Sequence, residues 1–135
     1  MTTQRIVCAK QINDPDFGTL KYHISNKDRV LWSFPFTFLK NSVLIYMDGN
    51  QEELNPTLKK LFFQLVANER ILRIEMIHAL KEFMAIEMNT FDERIEIAEI
   101  SIWTKNYDFT VIDTIEKHSY VINFEDLKVQ DIFRE

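Results

Sequence analysis

Two glycines, three prolines and one cysteine are all the 135-residue chain holds of the residues that punctuate or staple small folds. So little glycine and proline leaves small room for long flexible linkers. A lone cysteine, Cys8, excludes an internal disulfide framework. No apolar run approaches the roughly 18 residues that cross a bilayer. The opening MTTQRIVCAK lacks the basic segment and apolar core of a signal peptide. A cytoplasmic protein with no membrane partner is the expectation. Positive charge is also short: 16 basic residues stand against 21 acidic ones, a net of −5. Residues 1–88 carry 11 basic and 10 acidic side chains, and residues 89–135 carry 5 and 11, so the last third holds the whole excess. Nucleic-acid binders offer phosphate a basic face, so no nucleic acid is expected as partner. An acidic face steers a basic protein, or simply keeps the surface solvated.

What is present describes a folded domain. Hydrophobic residues make up 46% and charged residues 27%, which excludes both disorder and membrane burial and fits a single domain over residues 1–135. A short strand or arm is expected at Arg5–Cys8, then a turn at NDPDFG. From Phe17 the pattern alternates, with Leu20, Tyr22 and Ile24 on one face, and SNKD (25–28) closes a hairpin. In LWSFPFTFL every even position from 32 to 38 is aromatic, so Trp32, Phe34, Phe36 and Phe38 share one face. Pro35 among them has no amide donor, which predicts an edge strand or a bulge. The KNS stretch turns the chain into VLIYM.

Asn55–Pro56 predicts a helix start, a cap followed by a residue whose missing N–H is not needed. The helical spacing then persists to about Met88. One straight helix of that length would span about 50 Å. That is too long for a domain whose gyration radius should be roughly 14 Å. A break is therefore predicted within residues 66–70, where a continuous stripe would also turn Glu69 inward. Phe62, Leu65, Leu72, Met76, Leu80 and Phe83 are the predicted helical core, with the second helix the more deeply buried. After NTFDERIE the period returns to two: Ile100 and Ile102 alternate with Ser101 and Trp103, Asn106 tops a hairpin, and DFTVID, HSYVINF and KVQDIF follow. Strands, helices, strands predict an α+β fold. Its antiparallel β-sheet would comprise a β-meander and C-terminal β-hairpins, with a helix pair packed on one face.

Chemistry is harder to find. There is no glycine-rich phosphate loop, no nucleophile elbow and no zinc-protease motif. MDGNQEE (47–53) starts like a calcium loop but lacks its glycine and distant glutamate. Asp113, Glu116 and His118 offer oxygen and nitrogen ligands, yet they straddle a turn, so convergence is unforced and a structural histidine is the better reading. Cys8 has no helix N-terminus after it to activate it and reads as a small core residue. His78 lies mid-helix beside Glu82. No catalytic group, cofactor or metal is expected. The aromatic stripe is read as core packing, with a ligand cleft as the alternative. Trp103, on the polar face with Glu99, Ser101 and Lys105, is a candidate contact residue.

The C-terminal order, a hairpin of the form I-x-I-x-x-x-x-x-F-x-V-x-D leading to HSYVINFEDLKVQDI, resembles a family of small uncharacterised bacterial α+β proteins. Phe17–Gly18, Leu20 and Trp32 match the opening of those proteins, and the resemblance spans residues 14–133. Such families are of the kind found as immunity proteins in toxin–immunity systems. The resemblance implies a non-catalytic, protein-binding toxin inhibitor, monomeric or homodimeric, whose partner is a cognate protein such as a basic toxin domain. The contact residues expected for such an inhibitor, from their places at strand ends or on the polar face of the C-terminal hairpins rather than from the resemblance, are Glu99, Trp103, Glu116, Glu125 and Asp126. Two alternatives stay open. One is an enzyme or small-ligand-binding domain with a pocket between the aromatic strand and the helices, where His23 or His118 would titrate. The other is an adaptor subunit pairing through an edge strand.

Overall fold

Alternation of period two becomes a single large sheet. The computed structural model describes residues 7–24, 30–48, 55–85, 90–103 and 106–135. Along the chain come β1 (Val7–Asp14), β2 (Gly18–Ile24), β3 (Val30–Phe38) and β4 (Asn41–Asp48). Then follow α1 (Pro56–Ala67), α2 (Glu69–Met84) and a short α3 (Phe91–Arg94). The chain ends with β5 (Ile95–Ile102), β6 (Asn106–Asp113), β7 (His118–Glu125) and β8 (Lys128–Arg134). All eight strands lie side by side in sequence order. Neighbours are antiparallel except β4 and β5, which pair in parallel over Leu44–Met47 and Glu99–Ile102. Two four-stranded antiparallel meanders are thus stitched by one parallel joint, and a parallel joint requires a long crossover. The helices are that crossover. The α+β class is as expected, but the sheet is larger than a meander with hairpins, is not wholly antiparallel, and carries a third helix.

Local chemistry explains where each element stops. β1 is longer than expected and turns only at residues 15–17, where Asp14 Oδ1 accepts from the amides of Asp16 (2.8 Å) and Phe17 (3.2 Å). Gly18 follows at φ 76°, a left-handed position that suits glycine. β3 is not an edge strand, because it pairs with both β2 and β4. Its pairing to β2 stops at Ser33, two residues before Pro35, so the proline falls where that side no longer needs a donor. The turn into β4 sits at Leu39–Lys40, one residue earlier than KNS implied, with φ 48° and 66°. Both central residues at positive φ make the two-residue hairpin that matches strand twist.

Asn55 caps α1 as the sequence predicts, its Oδ1 accepting from Thr57 N (2.9 Å) and Leu58 N (3.4 Å), with Pro56 at the first helical position. The break falls at Asn68, inside the predicted window. Asn68 closes α1 with its own amide on Leu65 O (3.1 Å) and its side-chain Nδ2 on Gln64 O (2.8 Å). Glu69 is thereby turned outward from the helical stripe, and its Oε1 accepts from Leu39 N (2.8 Å) in the β3–β4 turn. The carboxylate that would have been buried unpaired becomes a clamp between layers.

One core holds the layers together. Leu58, Phe62 and Leu65 from α1 and Leu72, Met76 and Leu80 from α2 join Trp32, Phe34, Phe38, Ile45, Ile100, Phe109 and Ile122 in a single buried cluster. Phe83 was expected there but is 48% exposed, its ring meeting that of Tyr120 edge-to-face at 5.8 Å between ring centres. α2 is not the deeper helix either: it buries three residues four apart and leaves Ile71 and Ile74 exposed. A helix lying on a sheet can bury only one stripe, whatever its other faces contain. The loop expected at 25–28, the helix end at 86–88, the 49–53 stretch, Lys105 and the side chains of Cys8 and His23 lie outside the described residues.

Candidate protein-binding face

The helices cover one face of the sheet, and register decides what the other face carries. A β-bulge between Ile97 and Glu99 shifts the parity of β5, so that Ile95, Ile97, Ile100 and Ile102 all point to the core. Asn41 Oδ1 accepts the Ile97 amide (3.4 Å) at that irregularity. Beyond the bulge Glu99 and Ser101 point away from the helices, and Trp103 follows at the strand end with its indole nitrogen turned to Asp108. Residues paired across strands share a face, so two rows can be followed. One runs Glu99, Thr110, Val121, Phe133, and the other Ser101, Asp108, Asn123, Asp131, with Glu125 facing Lys128 below them. Glu96, opposite Ile112, and Glu135, whose amide donates to Ser119 O (3.0 Å), lie on the same side.

Among the described residues, the open face of β5–β8 therefore carries the carboxylates Glu96, Glu99, Asp108, Glu125, Asp131 and Glu135 against one cation, Lys128. Asp108 is the ordered centre. Its Oδ2 accepts from Trp103 Nε1 (3.1 Å) and its Oδ1 from Asn123 Nδ2 (2.8 Å), which fixes the half-buried indole at the end of β5. Partial burial pushes the Glu99 carboxyl above its usual range, and the nearby Glu135 adds to the shift. Burial, then Glu99, likewise raises the Tyr46 phenol on neighbouring β4. Like charges gathered on a half-desolvated surface are electrostatically uncomfortable until an opposite charge arrives.

Of the residues singled out from sequence, Glu99, Trp103 and Glu125 share this face. Asp126 sits at its margin, on the β7–β8 turn at the Trp103 end. Its backbone is held left-handed (φ 58°) while the Tyr107 hydroxyl donates to its carbonyl. Burial and Asp126 push the Tyr107 phenol well above its ordinary range, so it stays a donor. Glu116 is not with the others. It is exposed on the turn between β6 and β7, the full eight-residue length of β6 away, which is about 27 Å at strand rise. Asp108, Asp131, Glu96, Glu135 and Asn123 were missed. The parity of DFTVID against its buried Phe109 and Val111 was the signal that would have found Asp108.

The Asp113, Glu116 and His118 stretch is organised by an ion pair. Asp113 faces His118 across β6 and β7, but both its oxygens belong to Arg94: Oδ1 to Nε at 2.9 Å and Oδ2 to Nη2 at 2.7 Å. It also accepts the Ile115 and Glu116 amides, and the arginine holds its carboxyl below the usual range. His118 is half-buried with its ring edge toward Tyr120. Among the described residues no three histidine, cysteine, aspartate or glutamate side chains are placed to hold a metal ion.

The aromatic stripe is core. Phe34 stacks on Phe17 at 4.4 Å between ring centres, and Phe34 and Phe36 both meet the Phe62 ring edge-on. The β8 edge, for its part, is blunted: Glu75 Oε1 from α2 accepts the Val129 amide (3.4 Å) and Asp131 Oδ1 accepts the Ile132 amide (2.9 Å). Donors already occupied by carboxylates are poor templates for another strand.

These features define an α+β domain whose helices cover one sheet face and whose other face is acidic over β5–β8 and edged there by Trp103. No protein-family model matches the chain, and no curated protein or solved structure does either. Among the described residues no helix is long and apolar enough to cross a membrane.

Proposed function

We propose that this chain is a non-catalytic protein-binding domain, an immunity-type inhibitor acting in the cytoplasm on a bacterial toxin with a basic surface, as a monomer or homodimer. The observation that carries the reading is the charge of the open face over β5–β8, where among the described residues six carboxylates stand against Lys128, with the Trp103 indole anchored beside them. Such a face suits a flat, basic protein surface such as the substrate-binding side of a nuclease domain. Opposite charge speeds encounter, and a partly buried aromatic slows escape. Blocking a toxin's surface needs no chemistry from the inhibitor, only complementarity.

The test is co-expression with the product of the adjacent gene, read by pull-down and by rescue of growth. Glu99→Lys and Asp131→Lys should each lower the association rate, with an effect that shrinks above about 0.15 M salt, where screening is about 8 Å. Trp103→Ala should raise the dissociation rate, by the equivalent of about 2 kcal/mol if the indole is a central anchor. Failure to bind or protect, with the fold intact by circular dichroism, would sink the reading.

A further inference from the structure

Two cavities adjoin along α1, of about 730 and 360 Å³, and share Leu61, Gln64 and Asp126. Together they form a trough between the outer flank of α1 and the sheet end where β5 and the β7–β8 turn meet. Its larger part is bounded by Leu58 and Leu61 on the helix and by Trp103 and Asp126 on the sheet. Its volume is in the range that takes a few side chains. Trp103 belongs to both surfaces: it ends the acidic face and it walls the trough.

The Trp103 ring and the acidic face alongside point to the occupant, the trough's own described lining carrying one anion, Asp126, and one cation. The indole N–H is donated to the Asp108 carboxylate, which leaves the ring electron-rich and strengthens its attraction for a cation. Asp126 presents an exposed carboxylate on a turn that Tyr107 fixes from below. One lining cation, Lys60, lies across on the helix. Nearby, Asn106 Oδ1 is buried with no hydrogen-bond donor among the described residues, and Asn106 O accepts the Trp103 amide (3.2 Å). Apolar walls, an aromatic ring and a fixed carboxylate together fit an arginine side chain with an apolar neighbour.

We propose that this trough receives an arginine-bearing segment of the protein partner, with the guanidinium over Trp103 and against Asp126 and an apolar residue against Leu58 and Leu61. The inference rests on the partner-binding reading above and adds the anchoring element to it.

The experiment uses the whole chain and two synthetic peptides, Ac-Arg-Leu-Arg-NH2 and Ac-Glu-Leu-Glu-NH2, followed by the indole N–H resonances of Trp103 and Trp32 in nuclear magnetic resonance. The arginine peptide should shift the Trp103 signal saturably and leave the buried Trp32 in place; the glutamate peptide should do nothing. Asp126→Asn, chosen because asparagine tolerates the left-handed backbone, should weaken the arginine peptide about fivefold. Equal response to both peptides, no response, or an unchanged affinity in Asp126→Asn would overturn the proposal. The two readings separate cleanly. A partner whose capture is lost with Glu99→Lys but untouched by Asp126→Asn keeps the acidic face and discards the trough.

Discussion

Arg94 and Asp113 meet through two parallel hydrogen bonds of 2.9 and 2.7 Å, with the Asp113 side chain wholly out of solvent. The pair ties the start of β5 to the end of β6, and Arg94 O also receives the amide and hydroxyl of Thr114. Removing one partner of a buried pair strands the other, so Asp113→Ala should cost about 3 kcal/mol or more. Because Arg94 lowers the Asp113 pKa in the folded state, its contribution is present above the ordinary carboxylate value, about 3.9, and is lost as pH falls through the lowered one. The stability gap between wild type and Asp113→Asn, followed by urea denaturation, should thus narrow below about pH 4. A gap that stayed constant from pH 7 to pH 3 would contradict this.

Glu99 carries the opposite sign. Burial raises its folded pKa, so the native state binds its proton more readily and stability rises as pH falls through that raised value, levelling off below the ordinary one. Glu99→Gln should remove this dependence and be more stable than wild type at pH 7. Equal melting temperatures at neutral pH would count against a desolvated carboxylate here.

Leu72 and Phe83 lie on the same helix at 0% and 48% exposure. Leu72→Ala should cost about 2–5 kcal/mol. Phe83→Ala should cost much less, about 1 kcal/mol, because half the ring is already in water. Equal losses in thermal denaturation would mean that α2 sits differently on the sheet.

Lys40 is exposed at φ 66°, where a side chain meets its own backbone. The left-handed conformation costs a residue with a Cβ about 1–2 kcal/mol, and glycine's extra chain entropy returns part of that. Lys40→Gly should stabilise by about 0.5–1 kcal/mol. Glu69→Ala, which removes the acceptor for the Leu39 amide in the same turn, should destabilise by about 1.5 kcal/mol or more. Melting curves of both variants check the pair.

Period-two alternation and the Asn55–Pro56 helix start were legible in the sequence, since each depends on residues within a turn or two of one another, and the break before Glu69 was legible because one straight helix would outrun a domain of this size. So was the side of β5 that takes Glu99 and Trp103, because the apolar spacing of Ile100 and Ile102 records it. The excess of acid in the last third was legible as a number but not as a surface. Only pairing across β5 to β8 decides that Asp108 and Asp131 lie in one row while Glu116 is left at the far end. Likewise nothing local announces that Arg94 will find Asp113, 19 residues on, or that β4 and β5 will run parallel with two main helices between them. Pro35 was misread for the same reason: a proline excludes a donor at its own amide, but which neighbour would have needed that donor depends on where β2 stops. Short-range periodicity is fixed by the geometry of a strand or a helix, whereas which faces and charges meet depends on contacts closed over tens of residues. Those contacts exist only once the sheet has formed.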